Sequence, residues 1–157
     1  MHYTLLPLLT IGGAVFAAAF ALWKGDTPAR VAGVVSAFNA IALPAARMAM
    51  QAQVGEVLQL TFDFFWAVGL LVLAVRYASL WLGATMLLQA AQFSLHAFYL
   101  VMERPHDLIH AWINNLNTVG ISICIVVGAV TAIRRRVIIA QEEAEREARR
   151  QKLSAKA

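Results

Sequence analysis

Hydrophobic residues lie along the chain in five long stretches, and short polar or charged turns separate these stretches. The stretches cover approximately residues 3–23, 31–50, 57–75, 80–102 and 108–133. A helix that crosses a bilayer needs about 20 mostly apolar residues at ~1.5 Å rise per residue. The pattern therefore predicts an all-α membrane protein, with a bundle of about five transmembrane helices over residues 1–136. A charged cytoplasmic helical extension is predicted over residues 137–157.

Two of the stretches allow a different interpretation. The second is rich in alanine, contains Asn39 and is interrupted by Pro44, so a four-span protein would place it on the membrane surface. The first resembles a signal peptide in its position, but it has no basic residue before its apolar core. That core extends to Trp23 and is longer than the usual signal core, so we expect the segment to be retained.

Composition and charge exclude several classes of function. Hydrophobic residues make up 61% of the chain and charged residues only 14%, compared with about 25% charged in soluble domains. Eight of the 13 Lys and Arg residues follow residue 133, so the basic charge belongs to the tail and not to a nucleic-acid groove. Cys124 is the only cysteine, which rules out a disulfide within the chain.

Basic residues in short loops predict the orientation in the membrane. The arrangement with the N-terminus outside and the C-terminus in the cytoplasm of a bacterial inner membrane gives six basic residues inside and two outside. The inner six are Lys24, Arg30, Arg76, Arg134, Arg135 and Arg136, and the outer two are Arg47 and Arg104. Aromatic residues are expected at the two interfaces, with Trp23, Tyr77 and Trp81 inside and Tyr3, Tyr99 and Trp112 outside.

Small residues and the tail predict packing and partners. Gly13, Ala17 and Ala21 recur every four residues, as do Gly33 and Ala37, and this spacing lets membrane helices approach closely. The tail has Glu142 four residues before Arg146, a spacing that supports a solvated helix. Its charges favour an anchor that sets topology or a segment that contacts anionic lipid or a protein partner.

Polar residues within the stretches form stripes at helical spacing. The fourth stretch carries Thr85, Gln89, Gln92 and His96, the fifth carries His110, Asn114 and Asn117, the third carries Glu56, Gln59 and Asp63, and the second carries Asn39 and Arg47. A charge at the centre of a membrane helix costs about 2.5–3.5 kcal/mol. At ~1.5 Å per residue, Asp63 and His96 both lie about 9 Å inside the outer ends of their stretches. We therefore expect these groups to meet inside the bundle, with Asp63 paired to Arg47 or to protonated His96.

The polar stripes have two interpretations. Interhelical hydrogen bonds from Asn, Gln and His hold helix bundles together, at an average of ~0.6 kcal/mol each. Alternatively, the residues line an outer-leaflet polar cavity that binds a small ligand or relays protons, since an intramembrane Asp beside a His can titrate near neutral pH. The ligand-binding or proton-handling candidates are Asp63, Arg47, Gln89, Gln92, His96, His110, Asn114 and Asn117.

Metal and cofactor chemistry has weaker sequence support. His96, His106 and His110 are candidate metal ligands, because imidazoles four residues apart on a helix can share a metal. Pro105 favours a helix start that places His106 in the first turn, where this geometry is loose. Haem between His96 and His110 is a further alternative, and no cofactor is predicted. The chain has no P-loop, GxSxG, GxGxxG or HExxH motif, which argues against an enzyme, although Asp63 and His96 could serve as acid and base.

The second half of the chain resembles a family of small bacterial inner-membrane proteins of unknown activity. The shared features are a tryptophan that opens a span, a Gln-Phe step, a histidine near the end of that span, and a following span closed by arginines. Here they are Trp81, Gln92-Phe93, His96 and Arg134 to Arg136. The resemblance implies a bacterial inner-membrane location and no mechanism.

Two hypotheses for function follow. The first is a non-enzymatic accessory or assembly component that contacts lipid, a membrane protein partner or a second copy of itself. The second is a membrane module that handles a small ligand, a metal or protons in the polar cavity.

Overall fold

The computed structural model describes residues 5–50 and 52–154, and the side chains of residues 5–7, 44, 47, 52 and 53 lie outside this description. Five α-helices and no strand form in the described ranges. They are α1 (Leu5–Lys24), α2 (Thr27–Ala49), α3 (Ala52–Tyr77), α4 (Leu80–Val101) and α5 (Leu108–Ser154). The predicted all-helical fold is confirmed, and each predicted stretch corresponds to one helix.

A capping residue moves the start of α2 away from its predicted position, while the start of α5 agrees with the predicted stretch. α2 begins at Thr27, because the Asp26 side chain accepts a hydrogen bond from the Ala29 amide at 3.2 Å and Pro28 occupies the first turn. α5 begins at Leu108, where Asp107 accepts the His110 amide at 2.8 Å. His106 therefore precedes the helix, and the prediction that Pro105 starts it was wrong.

The five helices form a closed ring. Each helix packs against its neighbours in the chain, and α5 also packs against α1 and against one side of α2. Paired residues show that α4 runs antiparallel to both α3 and α5, because Asp63 contacts His96 and Trp81 contacts Gly128. α2 packs less extensively against α3 and α5 than the other neighbouring helices pack against one another. This looser packing lies beside the site described below.

One end of the ring, here called the packed end, is filled by small and aliphatic side chains. It contains Ala17, Ala21, Ala29, Ala32, Leu70, Leu82 and Ile125, all at most 1% exposed. A Cβ at Gly33 would lie 3.1 Å from both Ala18 Cα and Ala21 Cβ. Close packing through small residues is therefore real for α1 and α2, although Gly13 faces open space and takes no part in it.

The same end is closed by Arg136, which donates hydrogen bonds to the backbone carbonyls of Lys24 at 3.2 Å and Gly25 at 2.9 Å. These carbonyls end α1, where a cation satisfies unpaired acceptors and the negative end of the helix dipole. Beyond Arg136, α5 continues as a single helix to Ser154 with every residue exposed. Glu142 and Arg146 pair at 4.0 Å on this extension, as their spacing predicts.

Two helical segments of the described residues are long and apolar enough to cross a membrane by length and composition. They are Val54–Tyr77 in α3 and Leu108–Ser154, which is α5. The apolar parts of α1 and α2 are shorter, Leu8–Lys24 and Thr27–Leu43. α4 carries Gln89, Gln92 and His96, which lower its mean hydropathy and which are all buried in the ring.

The aromatic residues predicted at the two interfaces differ in their exposure. Trp23 and Trp112 are exposed by 72% and 63%, and Tyr77 is also exposed, as interfacial residues would be. Trp81 and Tyr99 are buried, so their assignment to the interfaces was wrong. Trp81 lies against Gly128, and the Tyr99 hydroxyl donates to Asp107 at 2.7 Å. Tyr3 lies outside the described residues.

Candidate functional site

The end of the ring opposite the packed end, here called the histidine end, contains Asp63, His96, His106 and His110. Asp63 is completely buried on α3. Its Oδ2 lies 2.6 Å from His96 Nδ1, and its Oδ1 accepts from Gln89 Nε2 at 2.9 Å and from Asn39 Nδ2 at 3.3 Å. Helices α2 and α4 thus bring three polar partners to one carboxylate on α3, which makes burial of this group tolerable.

His96 is the first member of a line of imidazoles that leads from Asp63 towards the surface. The His96 and His110 ring centroids are 5.3 Å apart, and those of His110 and His106 are 4.2 Å apart. His106 Nδ1 lies 3.7 Å from Glu56 Oε1, and the side chains of this last pair are 35% and 31% exposed. Titratable groups therefore extend without a long gap from a buried carboxylate to an exposed one.

Asp107 fixes the geometry of this line. It accepts the His110 amide at 2.8 Å as the cap of α5, and it accepts the Tyr99 hydroxyl at 2.7 Å. The Tyr99 ring stacks on His106 and meets His110 edge to face. The His110 backbone N–H, followed by the Tyr99 hydroxyl, lowers the pKa of Asp107 because both donate to its ionised form. The ionised cap ties α4 to the start of α5.

Gln59 lies between the line of imidazoles and the interior. Its Nε2 is 3.4 Å from His96 Nε2 and 3.5 Å from His96 Nδ1. On the outer side, a small space of about 10 Å³ is lined by Glu56, Gln59, His96, Leu100 and His106. On the inner side, Gln59 borders a larger cavity, so the Gln59 side chain lies between the two spaces.

The larger cavity has a volume of about 220 Å³ and receives side chains from all five helices. Its polar lining is Thr10 from α1, Ser36 and Asn39 from α2, Gln59 from α3, Gln89 and Gln92 from α4, and Asn114, Asn115 and Thr118 from α5. Ile11, Ala40 and Ile121 complete the wall. A polar cavity at the centre of the ring is the arrangement expected of a site that takes a small polar ligand.

Three residues of this wall carry buried acceptor oxygens that have no partner. They are Gln89 Oε1, Gln92 Oε1 and Asn114 Oδ1. A buried polar atom without a hydrogen bond costs about 1–3 kcal/mol, so three around one cavity need a reason. The orientation of Gln89 is determined by its neighbour, because its Nε2 donates to Asp63 and its carbonyl oxygen must point away from that carboxylate.

The predicted site residues are brought together with two exceptions. Gln89, Gln92 and Asn114 line the cavity, while Asp63, His96 and His110 lie beside it. Asn117 is buried with its Nδ2 unpartnered, but it does not line the cavity. Arg47 lies on α2, and its side chain is outside the described residues, so the Asp63–Arg47 pair remains a prediction. The alternative partner predicted for Asp63, His96, is the one observed.

The three histidines do not form a metal centre in this structure. Within residues 5–50 and 52–154, no group of three His, Cys, Asp or Glu side chains is arranged to hold a metal ion. His106 and His110 pack edge to face at an interplanar angle of 70°, so their nitrogens do not converge. His96 and His110 are neighbours at 5.3 Å, which leaves no room for a porphyrin between the rings.

Several site residues were missed by sequence reasoning. Thr10 donates to Asn115 Oδ1 at 3.1 Å and joins α1 to α5 beside the cavity. Both residues interrupt apolar surroundings, and this was the available signal. Asn115 lies one position away from the Asn114 stripe, which is about 100° around the helix, so a single-face pattern could not include it.

Comparisons with protein-family models, with curated proteins and with solved structures returned no match.

Proposed function

We propose that the chain is an integral membrane protein of five spans that handles protons, and that the Asp63–His96 pair exchanges a proton with the side of the membrane on which His106 lies. The observation that carries this proposal is the 2.6 Å contact between a fully buried carboxylate and an imidazole that leads to the surface through two further imidazoles. His titrates near neutral pH, so such a line can pass a proton.

The distribution of polarity supports insertion of all five helices. Large apolar side chains face outwards on every helix, including Phe16, Phe38, Phe65, Leu87 and Leu116. Polar side chains are buried instead, and exposed charges among the described residues lie near helix ends, in the turns and on the extension of α5. A soluble protein shows the reverse pattern. Mean hydropathy alone underrates α4, because its polar residues face the interior and not lipid.

The proposed orientation in the membrane follows from the distribution of basic residues between the two ends of the ring. Arg136 and Lys24 lie at the packed end, where Arg30 near the start of α2 and Arg76 in the last turn of α3 add two further basic residues. The excess of basic residues favours the cytoplasm for this end. The histidine end then faces outwards from a bacterial inner membrane, and the proton handled by Asp63 comes from that outer side.

The test is an infrared titration of the full chain in lipid nanodiscs, which follows carboxylate and imidazole bands from about pH 5 to 8, the range in which His titrates. The proposal expects a change in an imidazole band and a carboxylate band that is lost in both Asp63→Asn and His96→Gln. Glu142→Gln on the exposed tail is the control and should retain it. A pair that keeps one protonation state throughout this range would instead be a structural contact.

The line of imidazoles also leads to a prediction about the rate of proton exchange. His106→Gln removes the outermost imidazole but leaves the Asp63–His96 contact intact. Hydrogen–deuterium exchange at the His96 ring should therefore become slower while the equilibrium titration is unchanged. Exchange at the wild-type rate in this variant would mean that protons reach Asp63 by another route.

A second candidate function rests on the extension of α5. Residues 137–154 project from the ring as one exposed helix, which is the form of a segment that contacts a partner or anionic lipid. This arrangement favours an accessory or assembly component. Deletion of residues 140–157 would leave the infrared titration unchanged and would abolish partner capture if this function is the correct one.

A further inference from the structure

Three buried acceptor oxygens without a hydrogen-bond partner line the central cavity. Gln89 and Gln92 are 0% and 5% exposed, and the carbonyl oxygen of each has no partner. Asn114 adds a third such oxygen. The Thr118 hydroxyl donates its hydrogen to the backbone carbonyl oxygen of Asn114 at 2.9 Å, so the hydroxyl oxygen faces the cavity as an acceptor. An occupant that brings several N–H donors would satisfy these atoms together.

The charge around the cavity is also one-sided. Of the side chains that the structure describes, no Lys or Arg lines this cavity or the smaller outer space. The side chain of Arg47 on α2 lies outside that description. Asp63 lies directly behind the wall, in contact with the lining residues Asn39 and Gln89. A buried site of this kind is most stable when its net charge is close to zero. Among the described groups, the positive charge that balances the Asp63 carboxylate comes from protonated His96 or from a cation in the cavity. If both were present, the site would carry an excess positive charge.

The size of the cavity restricts the occupant. A volume of about 220 Å³ equals the share of about seven waters, at about 30 Å³ each. This space is too large to coordinate a bare metal ion and smaller than the sites that hold drug-sized ligands. Ile11, Ala40 and Ile121 supply an apolar part of the wall, which suits a short hydrocarbon portion.

We infer that the cavity binds a small organic cation with N–H donors, such as a primary ammonium or guanidinium compound, in exchange for one proton. This inference rests on the proposed proton exchange and names its coupled ligand. The cation donates to the free oxygens of Gln89, Gln92 and Asn114. For each cation bound, His96 changes from imidazolium to imidazole and its proton leaves to the medium.

Other groups that face His96 belong to the same balance. Asp63, Gln59 and Glu56 come from α3, Tyr99 lies on α4, and His106 and His110 come from the loop and α5. Only Asp63 is in direct contact with the ring through a carboxylate oxygen. Glu56 and His106 are partly exposed and form a pair with each other, so His96 is the group whose charge the cavity controls.

The experiment uses the full chain in nanodiscs and ethylammonium as the probe. Ethylammonium should raise the unfolding midpoint and release one proton per bound cation into a weakly buffered indicator solution. Its apparent affinity should increase by about tenfold per pH unit wherever a proton competes for the site. Tetramethylammonium has the same charge without N–H donors, and ethanol has no charge, so neither should produce these effects.

Matched variants test the site itself. Gln92→Met keeps the side-chain length and removes the free oxygen, so it should weaken ethylammonium binding at least severalfold. Ser94→Ala lies on the same helix but is exposed and bonded to its own backbone, so it should bind as the wild type does. Gln92→Glu serves as a second variant, because an added negative charge at this position should strengthen cation binding.

Several outcomes would overturn the inference. Equal effects of tetramethylammonium, ethanol or potassium chloride would mean that N–H donors are not recognised. Binding without proton release would contradict the exchange. If the infrared titration behaves as proposed while ethylammonium does not bind, the proton function stands and the ligand class is wrong. If ethylammonium binds while the Asp63–His96 pair never titrates, the proton function and the exchange are both wrong.

Discussion

The two ends of the helix ring bury different kinds of side chain. The packed end fills its interior with alanine, glycine and aliphatic side chains, and Gly33 and Gly128 are in close contact with neighbouring residues. The histidine end buries Asp63, Gln89 and His96, leaves a cavity and leaves acceptor oxygens unpartnered. Both ends are built from the same five helices, so helix packing alone does not require the polar arrangement.

The difference agrees with the proposal that the packed end holds the ring together and the histidine end carries the function. Close contact between small residues stabilises membrane helices through dispersion and packing. Unsatisfied polar atoms reduce stability and are retained at functional sites. We therefore expect substitutions that add volume to destabilise the packed end, while apolar substitutions in the cavity wall stabilise the histidine end.

The largest expected effect comes from Gly128→Ala at the packed end. The added Cβ would lie 2.6 Å from Trp81 Cε2 and 2.8 Å from two further atoms of that ring. Because Trp81 is buried, the indole cannot move away freely, and we expect a loss of about 2 kcal/mol of unfolding free energy. Reversible unfolding in detergent measures this loss.

Two further variants make the test specific. Gly83→Ala adds a methyl group where no atom lies within 4 Å, so it should stabilise α4 by about 0.5–1 kcal/mol. The double variant Gly128→Ala with Trp81→Phe should be less unstable than the sum of its single changes. Strict additivity would show that Trp81 does not resist the methyl group and that this end is loosely packed.

A smaller effect of opposite sign is expected from Gln92→Met in the cavity wall. Removal of an unpartnered oxygen removes its desolvation cost, so unfolding free energy should increase by about 1 kcal/mol. The matched control Ser94→Ala should change it very little, because Ser94 is exposed. A destabilised Gln92→Met protein would show that the oxygen has a partner in the native state, and the contrast between the two ends would disappear.

The fold was largely predictable, because the length and the periodicity of the hydrophobic stretches in the sequence correspond directly to the helices and their buried faces. All five helices were predicted, and the stripe of Gln89, Gln92 and His96 was assigned correctly to one buried face. The errors arose where a local group decides the outcome. Asp107 caps α5 after His106, and burial against Gly128 removes Trp81 from the interface. Neither tertiary contact is visible in a hydrophobic pattern.

The site was predictable in its members and not in its geometry. Shared depth indicated that Asp63 and His96 would meet, and they do. Depth along a helix does not give rotation relative to other helices, so the cavity and the edge-to-face packing of His106 on His110 could not be derived. Thr10 and Asn115 were missed for the same reason, since their contact joins residues far apart in sequence.

The smallest expected effect concerns how each end is closed. At the packed end Arg136 satisfies backbone carbonyls, while at the histidine end the Asp107 carboxylate satisfies the His110 amide. The folded protein lowers the pKa of Asp107 below its ordinary value of 3.8. Its stabilising contribution is therefore complete above that ordinary value and is lost as pH falls through the lowered one.

Asp107→Asn isolates this contribution. Asparagine keeps an oxygen that can accept the His110 amide but has no charge to lose, so wild type should be more stable near neutral pH and the two should converge below about pH 3.8. Unfolding midpoints measured from pH 6 downwards give the difference. A constant difference at all pH values would assign the effect to hydrogen-bond geometry. Convergence would show that the ionised Asp107 carboxylate stabilises the histidine end and that this contribution is lost in acid.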